Sequence, residues 1–184
     1  LLGRGLNDAK FLAECGANLI ITDLKQGKDL APTLKKLKKY KNIKYVLGKH
    51  RLQDFKNRDF ILKAAGVPLN SPYIEEARKN NIPIEMEGSL FARLLMRGQA
   101  KLAKDITLVG ITGTRGKTTT TYLIYEILKS AFPGKVYLGG NIKGVATLPF
   151  IAKIKPGDIV VLELDSWQLQ GWGESKISPH ISVF

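Results

Sequence analysis

The residues best suited to chemistry lie in the run Gly110-Ile-Thr-Gly-Thr-Arg-Gly-Lys-Thr-Thr119. Gly113 and Gly116 let the backbone fold tightly enough for successive N–H groups to converge on an anion. The apolar stretch Ile106-Thr-Leu-Val109 precedes the run and a helical pattern follows it. The run therefore joins a strand to a helix N-terminus, which adds partial positive charge. In such a loop Lys117 reaches the β- and γ-phosphates of a nucleoside triphosphate, and Thr118 offers its hydroxyl to Mg²⁺. The strict motif wants a glycine where Ile111 stands, so the loop is a variant. It implies a nucleoside triphosphate without fixing a reaction.

Two further places carry chemistry. Glu163 sits near the end of the apolar run Ile159-Val-Val-Leu-Glu-Leu164, at the strand edge where ligands bind α/β sheets. A carboxylate there can hold Mg²⁺; the alternative is a solvated strand-end charge. Near the start, Gly3-Arg-Gly5 would bring backbone N–H groups to a pyrophosphate at a helix start, and Asp23 follows 18 residues after Gly5. Asp8 replaces the third glycine of the dinucleotide fingerprint, so that signal is incomplete, and Asp23 also reads as a turn acid.

Positioning these residues requires alternating strands and helices. Leu6, Ala9, Phe11, Leu12 and Ala13 suit a first helix ended by Gly16, and Asn18–Thr22 reads as a buried strand. A helix from Pro32, strands at Ile43–Leu47 and Asp59–Leu62, a helix at Pro72–Arg78, and a strand at Ile82–Met86 follow. Ser89 is placed to cap a further helix. After the phosphate loop, Thr118–Ala131 patterns as a helix with Leu123, Ile124, Ile127, Leu128 and Ala131 on one face. Strands at Lys135–Leu138 and Ile159–Leu164 come next, with Trp167 and Leu169 expected in the core. The pattern predicts a parallel α/β protein: a Rossmann-like parallel-sheet domain over 1–100, then the first part of a P-loop-type α/β ATPase domain over 101–184. The boundary is expected within Arg97–Lys104.

Composition narrows the class. The chain has 184 residues, is 44% hydrophobic and contains one cysteine. That excludes a wholly disordered chain and a disulfide-stapled mini-protein. No apolar run is long enough to span a bilayer and no signal peptide is visible, so no membrane insertion is expected and the cytoplasm is the expected compartment. Cys15 is expected to be a small buried apolar residue. Both ends read as cut through strands, so the sequence reads as a fragment of a longer protein.

The formal net charge is +13, with 21 basic and 10 acidic residues over 1–104 and 8 and 6 over 105–184. Residues 25–63 alone carry 13 basic and 3 acidic residues. No nucleic-acid motif accompanies them, so a solvated surface is the reading favoured over an RNA-binding module.

Thr112-Gly-Thr-Arg-Gly-Lys-Thr-Thr119 resembles the Thr-Gly-Thr-Asn-Gly-Lys-Ser/Thr loop of the Mur ligase superfamily. Gly139-Gly-Asn-Ile142, Glu163-Leu-Asp-Ser-Trp-Gln-Leu169, Gly66-Val-Pro-Leu-Asn-Ser-Pro72 and Glu87-Gly-Ser-Leu-Phe-Ala-Arg93 resemble one branch, the UDP-N-acetylmuramoyl-L-alanine:D-glutamate ligases. The resemblance implies an ATP- and Mg²⁺-dependent amide ligase of peptidoglycan precursor synthesis. Its substrates would be UDP-N-acetylmuramoyl-L-alanine and D-glutamate, joined through an acyl phosphate. It implies ATP contacts at Gly113, Thr114, Arg115, Gly116, Lys117, Thr118 and Thr119, and metal contacts at Thr118 and Glu163. Lys117 and Glu163 are implied as catalytic. Contacts to the UDP-substrate are implied at Gly3, Arg4, Gly5, Leu6, Asp23, Asn141 and Ser166. The family's second metal-binding set and its C-terminal domain lie beyond the position of Phe184. The 184 residues alone are therefore expected to bind nucleotide weakly without turnover, and the longer protein to be a monomer that binds no nucleic acid. Arg115 in place of Asn and Asp165 in place of Ser depart from the pattern. Another superfamily ligase with a different amino acid, or a non-catalytic nucleotide-binding regulator, are the competing readings.

Overall fold

The computed structural model describes residues 1, 3–98 and 105–184. Two compact units form, Leu1–Glu85 and Met86–Phe184. Parallel strands alternate with helices in both, as the hydrophobic pattern predicts. The expected linker Arg97–Lys104 lies largely outside the described residues. The units divide earlier in the chain, because the helix Glu87–Gly98 packs with the second unit.

In the first unit, helix α1 spans Arg4–Glu14 and strand β1 Leu19–Asp23. Gly16, at φ +84°, ends the helix in a left-handed conformation that only glycine adopts without strain. Asn42 then donates its side-chain amide to the carbonyls of Ala13 and Ala17 at the exit of the helix. Helix α2 (Ala31–Leu37) leads to β2 (Ile43–Leu47), which pairs in parallel with β1 from Leu19↔Ile43 to Asp23↔Leu47. Ala9, Ala13, Leu37 and Ile43 form the buried core between them. Strands β3 (Ile61–Leu62) and β4 (Ile84–Glu85) flank α3 (Pro72–Lys79) and pair in parallel. The four strands form two separate pairs rather than one continuous sheet. The β3–β4 ladder is only two residues long, because Pro83 precedes one strand and the turn at Ala64–Val67 follows the other. Cys15 is exposed, not buried: it stands past the last turn of α1, off the apolar face.

In the second unit, α4 (Glu87–Gly98) begins two residues before the expected cap. Ser89 lies inside its first turn and binds Met86 by both its accepting and donating capacity. Strands β5 (Thr107–Ile111), β6 (Val136–Gly140), β7 (Ile159–Glu163) and β8 (Ile181–Val183) make one parallel sheet in the order β6-β7-β5-β8. Helix α5 (Lys117–Ala131) covers it with Ile124, Tyr125 and Leu128, against Val109, Ile111 and Val161. Three residues expected on that face are instead exposed: Leu123 and Ile127, at 61% and 60%, and Ala131. The apolar stripe of α5 is wider than the strip of sheet that it meets.

Helix α6 (Ser166–Glu174) follows β7. Trp167 and Leu169, expected in the core, are exposed, whereas Gln168 and Trp172 are buried. The i, i+4 spacing of Gln168 and Trp172 faces inward, so the two expected core residues fall outside it.

Candidate functional site

The parallel register of the second unit assembles the site. Ile111, the last residue of β5, stands opposite Glu163, the last residue of β7. Gly140, the last residue of β6, stands opposite Glu163 on the other side. Three strand ends thus finish at one level, and the phosphate loop leaves from β5, which lies between β7 and β8. Thr112 N–H donates to the Val183 carbonyl at 3.0 Å, and Leu164 N–H to the Ile111 carbonyl at 2.8 Å, fixing both exits.

Within the loop, Gly113 has φ +137° and Gly116 φ +78°. Both values are strained for a residue with a Cβ. Gly116 is the N-cap of α5 and supplies no side-chain acceptor to the helix. The first-turn N–H groups of Lys117, Thr118 and Thr119 therefore lack the usual Ser or Asp cap, an arrangement that suits an external anion. Lys117 Nζ donates to the Gly113 carbonyl at 2.8 Å, so its side chain folds back across the loop. Thr114, Arg115, Thr118 and Thr119 are exposed.

Glu163 is 3% exposed, and its Oε2 has no hydrogen-bond partner. Its Oε1 accepts from Asn141 Nδ2 at 3.3 Å, and its carbonyl accepts from Asn141 N–H at 2.7 Å. A buried carboxylate oxygen without a donor costs several kcal/mol unless a cation or donor is supplied (~2–7 kcal/mol for an uncompensated polar group). Thr118 and Glu163 thus fit the oxygen-ligand set that Mg²⁺ uses, one or two protein ligands plus phosphates and water. Among the described residues no group of three or more His, Cys, Asp or Glu could hold a metal by itself.

Gly140 explains why Glu163 can sit so close. A Cβ at Gly140 would lie 2.2 Å from the Glu163 carbonyl oxygen, and its φ is +79°. Gly140 N–H is held by Thr147 Oγ1 at 3.0 Å, and Thr147 N–H donates to the Glu87 carboxylate. The sequence reading missed Thr147, because a lone threonine in a loop carries no periodic signal. Ser166 is exposed at the first turn of α6, and Asp165 caps that helix by accepting from Gln168 N–H at 2.8 Å. Asp165 in place of serine therefore keeps a capping oxygen.

The first unit gathers the other group. Gly3, with φ +61°, is the N-cap of α1 and has no side-chain cap; Arg4, Gly5 and Leu6 form the first turn. Asp23 ends β1, where its Oδ1 accepts from Lys25 N–H at 2.9 Å.

Residues 111–184 match the Mur ligase middle domain. Those residues carry the sequence pattern of that domain family. It is 39% identical over its whole length to the UDP-N-acetylmuramoylalanine--D-glutamate ligase of Borreliella burgdorferi strain ZS7, covering 38% of that relative. It is 39% identical over 98% of its length to the protein of that name from Roseiflexus sp. strain RS-1, covering 36% of it. Against the Treponema pallidum protein of that name the identity is 38% over 91% of the chain, with 30% of the relative covered. The chain thus spans little more than a third of the length of the curated relatives it matches. The match starts at the last residue of β5, so it contains the phosphate loop from Ile111 onward and Glu163. No helix among the described residues is long and apolar enough to cross a membrane.

Proposed function

We propose that these residues are the nucleotide-handling part of an ATP-dependent amide ligase that adds D-glutamate to UDP-N-acetylmuramoyl-L-alanine, in the cytoplasm, during peptidoglycan precursor synthesis. The observation that carries this reading is the unpartnered oxygen of buried Glu163, in register with the strand that feeds a glycine-rich loop. In this reading residues 1–100 bind the UDP-substrate and residues 101–184 bind ATP.

The chemistry follows from the residues. A carboxylate resists attack by an amine because its leaving group would be oxide. Transfer of the γ-phosphoryl of ATP to the substrate carboxylate gives an acyl phosphate and ADP. Attack by the D-glutamate amine then forms the amide and releases phosphate. Mg²⁺, when bound, would neutralise phosphate charge. Gly113 to Thr119 would cradle the phosphates through their N–H groups, with Arg115 exposed at the loop tip. Lys117 would leave the Gly113 carbonyl to follow the charge of the transferred group. Glu163 and Thr118 would hold the cation, and Asn141 would fix the Glu163 carboxylate while facing the carboxyl end of the substrate, with Ser166 beside it. Gly3, Arg4, Gly5, Leu6 and Asp23 would take the UDP moiety at the start of α1.

The test is a ligation assay on a polypeptide of the relatives' length that contains these residues, supplied with UDP-N-acetylmuramoyl-L-alanine, ATP and Mg²⁺. D-glutamate should stimulate ADP release and appear in the product. Incorporation of L-alanine, diaminopimelate or another amino acid in its place would reassign the substrate. Steady D-glutamate incorporation by the 184 residues alone would contradict the division of labour proposed for them.

A further inference from the structure

A groove outside the candidate site residues lies in the first unit. It measures about 560 Å³ and runs between α2 and β2. Its floor is Leu34, Ile43 and Leu47, with Leu37 beneath, and Lys35, Lys38 and Lys41 stand along its rim. All three lysines are exposed. Ile43, Tyr45 and Leu47 share one face of β2 and open into the groove, while Lys44 stands on the opposite face.

Three observations bear on what this groove would take. First, β2 pairs only with β1 among the described residues, so its outer edge presents a row of backbone groups to solvent. An extended peptide could add there by β-augmentation, with alternate side chains entering the groove. Second, the surrounding segment 25–63 has 13 basic and 3 acidic residues, so a partner must bring negative charge. A second copy of this chain, at net +13, would be repelled. Third, the floor is mostly aliphatic: of the two tyrosines lining the groove, Tyr45 alone is open, and Tyr40 is already engaged. The Lys39 ammonium lies 4.8 Å from the Tyr40 ring centroid, and the Tyr40 hydroxyl donates to Glu14. Nucleic acid uses open aromatic faces for stacking, whereas aliphatic pockets beside lysines suit alternating apolar and acidic side chains.

We infer that the α2–β2 groove is a docking site for an acidic, amphipathic polypeptide segment that adds along the edge of β2. Apolar side chains of the segment enter between Leu34 and Leu47, and the alternate carboxylates point to the opposite face, where they meet Lys44 within screening distance of the rim lysines Lys35, Lys38 and Lys41. The inference is independent of the ligase reading, since no residue of the groove belongs to the nucleotide site.

The probe is an acetylated, amidated peptide of alternating glutamate and valine, titrated by fluorescence anisotropy against the 184-residue chain, with oligouridylate titrated in parallel. The wild-type chain should bind the peptide saturably, and combined Lys35→Gln, Lys38→Gln and Lys41→Gln should weaken it by about tenfold or more. Leu34→Gln, which changes no charge, should weaken it severalfold. Lys129→Gln, Lys135→Gln and Lys153→Gln together remove the same charge from the second unit and should have little effect. Unchanged thermal midpoints show that the variants are folded. Absence of saturation, equal losses in the two lysine sets, or no effect of Leu34→Gln overturns the proposal. Tighter oligouridylate binding, lost in the Lys35, Lys38 and Lys41 variant, overturns it in favour of nucleic acid.

Discussion

At the residue scale the site depends on a few exact fits. Gly140 is the sharpest. Its φ of +79° and the 2.2 Å approach to the Glu163 carbonyl leave no room for a Cβ. Gly140→Ala should destabilise the chain by about 1–3 kcal/mol, read as a lower denaturation midpoint with an unchanged slope. It should also displace Glu163 and weaken the Mg²⁺ dependence of nucleotide binding. Glu163→Gln leaves size and burial nearly unchanged, so it should spare stability while removing that Mg²⁺ dependence.

At the element scale, caps and backbone contacts hold the strand ends in register. Asp165 caps α6, so Asp165→Ala should cost about 0.5–2 kcal/mol and Asp165→Ser much less, measured by thermal unfolding. His180 is exposed and outside any catalytic pattern, yet its Nδ1 accepts from Leu108 N–H at 2.9 Å. It thereby extends the β5–β8 ladder by one bond, and His180→Ala should cost about 0.5–1.5 kcal/mol.

The loop and its flanking strand and helix were legible in the sequence because glycine spacing and an apolar run state them directly. Glu163 was legible as a strand-end carboxylate. Its neighbours Gly140 and Thr147 took on meaning only through parallel register, which no local pattern encodes. The misplaced core of α5 and α6 has a similar cause. A stripe containing Leu123 and Ile127 says that a helix has an apolar side, not how much of it a four-stranded sheet can cover. Trp167 and Leu169 are apolar yet exposed, because helix geometry turns Gln168 and Trp172 inward instead.

At the scale of the whole molecule, charge and chemistry are separated. The excess of lysine lies around the α2–β2 groove, whereas phosphate binding is assigned to backbone N–H groups and Lys117. Raising salt should therefore weaken acidic peptides more steeply than nucleotide, because exposed charges are screened over about 10 Å at 0.1 M ionic strength. The account stands most directly on nucleotide binding by the 184-residue chain. Calorimetric titration with ATP, with and without Mg²⁺, should give saturable binding that Mg²⁺ strengthens and that Lys117→Ala weakens by about tenfold or more. Equal binding by the wild-type and Lys117→Ala chains, or none by either, would contradict the assignment of the loop.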